Sequence, residues 1–149
     1  MLMHRRKSVS LSIVSTDLPL WYVVQNTATL EQKNAESFHV ILTEPQHDVN
    51  LASSSPSLIW LELSPYRVMM TKQAESVCYR HFWERGIYGT SRYWLGGYQG
   101  NDQTLQLRNF TRQLTFDGDP LPQRLQVEYE LWSAKVPLGR YILRLEIES

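Results

Sequence analysis

The last third of the chain alternates. Leu125, Val127, Tyr129 and Leu131 are separated by Gln126, Glu128 and Glu130, and Tyr141, Leu143, Leu145 and Ile147 alternate with polar or charged neighbours, interrupted only by Ile142. A period of two puts each apolar set on one face of an extended strand, so these runs read as strands with one face buried. Pro137-Leu138-Gly139 supplies turn residues between them, and the pair reads as an antiparallel hairpin. A hairpin of this kind must bury its apolar face against more sheet or against a helix.

Similar signals recur upstream. Val9, Leu11 and Ile13 alternate with serines, Leu20 to Val24 is rich in β-formers after Pro19, and Phe38, Val40 and Leu42 alternate. Leu58 to Leu63 is apolar on both faces apart from Glu62, as an interior strand is. Leu105 and Leu107 share one parity while Phe110, Leu114 and Phe116 share the other, which places a bulge near Arg108-Asn109 before a turn at Asp117 to Pro120. Residues 26–36 are polar and aperiodic and read as a connection, and 44–56, with two prolines and three consecutive serines, read as a flexible loop.

The fold class turns on residues 64–86. Ser64-Pro65 suits a helix start, since serine can cap free N–H groups and proline lacks the N–H that would be orphaned. Tyr66, Met69, Met70, Ala74, Val77, Cys78, His81 and Phe82 then recur at three- and four-residue spacing up to Gly86, a usual helix stop. The expectation is therefore an α+β fold: about seven strands in a mainly antiparallel sheet with one long helix near 65–85 packed on it. The alternative makes Tyr66, Val68 and Met70 one strand and Tyr79 to Trp83 another, which turns the protein into an all-β barrel or sandwich.

At 149 residues, with 42% hydrophobic and 20% charged side chains, the chain suits a single domain, 1–149, with 1–7 as a basic N-terminal tail. The formal net charge is zero, which removes the global argument for nucleic acid or an anionic membrane as partner. Arginine is nevertheless concentrated between residues 80 and 112, where Arg80, Arg85, Arg92, Arg108 and Arg112 face only Glu84 and Asp102. A lone cysteine, Cys78, and the absence of a continuous apolar leader or span fit a cytoplasmic protein with no membrane partner.

No phosphate loop, dinucleotide fingerprint or nucleophile elbow is present, and no catalytic residue, metal site or cofactor is assigned. Cys78 and His81, three apart on the expected helix, are the one pair that would suit a small enzyme; as buried side chains they need no function. The segment from Gly86 to Gly100 interleaves rings, arginine and glycine. Tyr88, Arg92, Tyr93, Trp94 and Tyr98, with the nearby Arg85, offer stacking surface and anion-binding groups. If Ile87 to Leu95 is a strand, Tyr93 lies on the face opposite Tyr88, Arg92 and Trp94. The functional expectation is a soluble, non-catalytic binding or accessory module contacting a partner protein or a small planar ligand, with a single-stranded nucleic-acid binder as the alternative.

Overall fold

The computed structural model describes residues 4–44, 56–75, 77–95, 103–118 and 121–148. They form ten strands and no helix: β1 (His4–Ser15), β2 (Trp21–Gln32), β3 (Phe38–Glu44), β4 (Ser57–Leu63), β5 (Arg67–Gln73), β6 (Val77–Glu84), β7 (Tyr88–Leu95), β8 (Thr104–Asp117), β9 (Arg124–Ser133) and β10 (Val136–Ile147). Each strand pairs antiparallel with the next and β10 returns to β1, so the sheet closes into a barrel. Closure removes the free sheet edges of an open meander.

The expected α+β fold is thereby overturned, and the all-β barrel holds. Residues 67–84 form the hairpin β5–β6, with Met70 opposite His81 and Val68 opposite Trp83. The helical spacing arose because both faces of these strands carry apolar residues: Met70 points into the barrel while Met69 and Phe82 lie outside, and the two sets together imitate a stripe. Ser64 closes a turn instead of capping a helix, since its Oγ donates to Arg67 O at 2.9 Å and accepts from Arg67 N at 3.3 Å. Residues 26–32, read as a connection, continue β2, with Ala28 and Leu30 buried. His4 to Lys7, expected in a tail, belong to β1 and pair with Glu31 to Ala28. Of the 44–56 loop, Glu44 ends β3 and 45–55 lie outside the described residues.

Alternate residues fill the interior. Leu11, Val40, Ile59, Leu61, Met70, Trp83, Val127, Leu143 and Leu145 are each fully buried, and they join one apolar core inside the barrel. The bulge in β8 falls between Thr111 and Gln113, three residues beyond its expected place, and it switches the inward parity from Leu107, Asn109 and Thr111 to Leu114 and Phe116. The β9–β10 turn is Ala134-Lys135, with Ala134 at φ 53°, and Pro137 to Gly139 hold a register shift inside β10.

One seam is short. β1 and β2 pair from His4–Glu31 to Val14–Trp21, whereas β2 and β3 pair only from Thr29–Ile41 to Gln32–Phe38. Trp21 to Ala28 therefore have no ladder partner on the β3 side among the described residues. Side chains bridge that gap: Asn26 Nδ2 donates to Thr43 O at 2.7 Å, and the Tyr22 hydroxyl donates to Glu44. The gap lies at the mouth of the barrel, the end where β1, β3, β5, β7 and β9 finish and β2, β4, β6, β8 and β10 begin.

Candidate functional site

The strand alternation of β7 divides the sequence-predicted residues. Tyr88, Arg92 and Trp94 lie on the outer face, and Tyr93 faces the barrel interior opposite Tyr79 of β6. Tyr98 lies outside the described residues. Arg85 is engaged elsewhere: its Nη2 donates to Leu114 O at 2.9 Å, tying the end of β6 to β8.

The outer face gathers further residues from neighbouring strands. Arg80 sits directly opposite Arg92, Arg92 opposite Gln106, and Arg108 opposite both Thr90 and Trp132. Arg92 Nη2 donates to Gln106 Oε1 at 2.8 Å and its guanidinium carbon lies 5.8 Å from the Trp94 ring centroid. Arg108 lies 4.7 Å from the Tyr88 ring centroid, and Tyr88 packs on Phe110 at 5.0 Å. Arg80 Nε donates to Thr71 Oγ1 at 3.1 Å. Among the described residues none of these three arginines has an ion-pair partner, although five other basic side chains pair with carboxylates and Arg112 and Arg140 share Glu130. Facing like charges repel, so Arg80 and Arg92 side by side cost stability that an anion would recover.

Trp132, at the edge of this face, donates from Nε1 to Glu130 Oε1 at 3.2 Å. Partial burial by itself raises the Glu130 carboxyl, but hydrogen bonds from Arg112 and Trp132 and the charges of Arg112 and Arg140 outweigh it and hold the group below the usual carboxylate range. That cluster is internally neutralised on one side of the arginines.

The inner face carries polar groups the sequence concealed. His81, Ser91, Asn109 and Thr111 are buried in the wall formed by β6, β7 and β8. Ser91 Oγ accepts from Asn109 Nδ2 at 2.8 Å and lies 2.6 Å from His81 Nδ1, and the imidazole stacks on Trp83 at 4.9 Å with planes 6° apart. Among the described residues Trp83 Nε1, Asn109 Oδ1 and Thr111 Oγ1 find no hydrogen-bond partner. Cys78 and His81 are on opposite sides of β6, because three residues apart in a strand reverses the side chain; Cys78 Sγ donates to Ala74 O at 3.6 Å. They form no joint site. The described residues hold no group of three or more His, Cys, Asp or Glu placed to bind a metal.

Burial pulls the His81 pKa from 6.5 down to about 3. The unfolded chain binds this proton more readily between those values, so stability is full above about pH 6.5 and falls toward pH 3, by about 1.4 kcal/mol per pH unit for this one group. Urea melts of the protein and of His81→Asn between pH 7.5 and pH 5 check this: the wild type loses more stability than the variant on acidification, and equal losses would contradict a neutral buried imidazole.

Toward the mouth the interior wall is lined by tyrosines packed against the core. Tyr79 and Tyr93 are 5.7 Å apart, Tyr129 and Tyr141 5.5 Å, and Lys72 reaches across to Glu44 on β3. Burial raises all four phenols, Tyr93 to about 12, so they stay neutral donors. Only Tyr93 of this group was singled out by sequence; Tyr129 and Tyr141 sit in strands read as ordinary core, and Tyr79 in the segment expected to be a helix.

A separate cleft of about 800 Å³ runs along β1, β2 and β10, lined by Ser8, Ser10, Gln25, Arg124, Glu146 and Glu148 among others. Its Arg124 and Glu146 face each other at 3.9 Å, and no group inside it is both buried and unpartnered. No helix of the described residues is long and apolar enough to cross a membrane.

No protein-family model and no curated protein matches the chain. Among solved structures it is similar to the ywiB protein from Bacillus subtilis, with a TM-score of 0.64 over 98% of this chain and 94% of that one, at 14% sequence identity. At that identity the likeness extends to the fold alone: two chains that share few residues share the same course through the barrel.

Proposed function

We propose that the protein is a non-catalytic binding module of the cytosol that holds an acidic segment of a partner protein on the outer face of β6, β7 and β8. The observation that carries this reading is the row of Arg80, Arg92 and Arg108, adjacent on one face and unpaired among the described residues of a chain whose net charge is zero. Planar guanidinium groups take carboxylates bidentately, and Tyr88, Trp94, Phe110 and Trp132 supply rigid contact area around them. Cys78, the only cysteine of the sequence, is buried and has no second cysteine to pair with, which suits a reducing compartment.

A second reading, single-stranded nucleic acid, is supported by the Tyr88 ring, 53% exposed beside Arg108 and open to stacking by a base. The zero net charge weighs against it.

Fluorescence titration with a labelled peptide of alternating glutamate and tyrosine, set against oligo(dT), separates the two readings. Arg92→Ala and Arg108→Ala are each expected to weaken peptide binding about tenfold or more, as removal of a central arginine anchor does. If oligo(dT) binds more tightly than the peptide, with log K falling against log salt by a slope of about −2 for three phosphate contacts, nucleic acid takes the place of the acidic segment. Peptide affinity unchanged in both variants overturns the assignment of this face.

A further inference from the structure

The mouth of the barrel holds a lysine whose counter-ion belongs to the fold itself. Lys72 Nζ lies 3.2 Å from Glu44 Oε2, with the two side chains 14% and 16% exposed. The Tyr22 hydroxyl donates to the same carboxylate and lies 3.5 Å from Lys72 Nζ. The ammonium also sits 4.9 Å from the Tyr22 ring centroid and 5.9 Å from that of Tyr79. A cation, a phenolic donor and half-buried rings thus converge on one carboxylate. Glu44 is the last residue of β3 and lies beyond the point where β2–β3 pairing stops at Thr29–Ile41. Its carboxylate can leave without breaking the β2–β3 ladder.

We propose that this cluster binds a small planar organic anion, an aryl carboxylate or sulfonate, which displaces Glu44 from Lys72 and Tyr22 and stacks its ring on Tyr79 and Tyr93. The site is independent of the outer arginine face. Exchange of one anion for another keeps Lys72 compensated in a poorly solvated position, so the ion pair is remade instead of lost. Burial of the ring against the tyrosines supplies the net gain. The fold's own carboxylate acts as a tethered competitor, and its removal therefore strengthens binding of an external anion.

The test uses 8-anilinonaphthalene-1-sulfonate and its uncharged counterpart N-phenyl-1-naphthylamine, which share the ring system and differ in the sulfonate. For the sulfonate, Lys72→Met is expected to weaken one-to-one binding about tenfold and Glu44→Gln to tighten it about threefold or more. The amine is expected to change less than about twofold with either substitution, and Arg92→Ala to leave both probes unaffected. Lys72→Met leaves Glu44 without its cation and can unfold the chain, so Lys72→Met/Glu44→Gln, which removes both charges, is measured beside it and is expected to bind the sulfonate as weakly as the amine. Sulfonate affinity in the double variant equal to that of the wild type, or weakened binding in Glu44→Gln, overturns the proposal.

Discussion

Gly89→Ala is expected to destabilise the protein by about 3 kcal/mol, a large loss for a single methyl group. A Cβ at this position would meet Phe82 O at 2.1 Å and Asn109 Oδ1 at 2.9 Å. The first of these is backbone and cannot rotate away. Gly89 lies within β7 opposite Asn109 on β8, and the missing side chain is what lets β6 and β8 close around it and lets Asn109 reach Ser91. Gly86, three residues earlier, is the turn glycine, with φ 77° and open space where a Cβ would be. Urea melts check the contrast: Gly89→Ala lowers the midpoint far more than Gly86→Ala, and equal, small shifts would contradict the close approach of the three strands.

Trp83→Ala is expected to lose about 3–5 kcal/mol, out of a total of about 5–15 for a domain of this kind. The indole is fully buried and lies between His81 at 4.9 Å and Tyr129 at 4.8 Å, so truncation opens a cavity between two aromatic neighbours. Trp83→Phe is the sharper variant. It removes volume but also a buried N–H with no partner, whose desolvation alone costs about 1–3 kcal/mol, and the net loss is accordingly well below that of alanine. A phenylalanine variant as unstable as the alanine one would mean that the indole N–H is satisfied in solution, by a buried water or a ligand.

Much of the strand framework was legible because hydrophobic alternation needs only one face to be apolar. β1, β3, β9 and β10 all showed it, and their inward apolar residues are those named from the sequence, whereas β4 was read from a short run apolar on both faces. The hairpin β5–β6 was hidden by apolar residues on its outer face, Met69, Cys78 and Phe82, and by a short 74–76 connection without glycine or proline. The second half of β2 was hidden for the opposite reason: Asn26 and Ala28 on its inner parity carry little hydrophobic signal. The β8 bulge was expected in the right strand but too early, because Asn109 and Thr111 point inward although polar, and Phe110 points outward although apolar.

The same polar wall explains what was missed in the site. His81, Ser91, Asn109 and Thr111 come from three strands and meet only because β6, β7 and β8 are neighbours in register. No local spacing joins them. Lys72 and Glu44 are likewise brought together across the interior from β5 and β3. On the outer face, by contrast, Arg92, Trp94 and Tyr88 were legible as a group, since residues two and four apart in one strand share a side, and the structure adds Arg80 and Arg108 from the adjoining strands.

The central claim, that this outer face is the binding surface, is tested most directly by two-dimensional amide NMR of the labelled protein titrated with the glutamate–tyrosine peptide. The largest shifts are expected at Arg80, Tyr88, Arg92, Trp94 and Arg108, with the indole N–H of Trp94 moving and that of the buried Trp83 still. Shifts confined to the mouth, around Tyr22, Lys72 and Tyr93, or to the β1, β2 and β10 cleft, would contradict it.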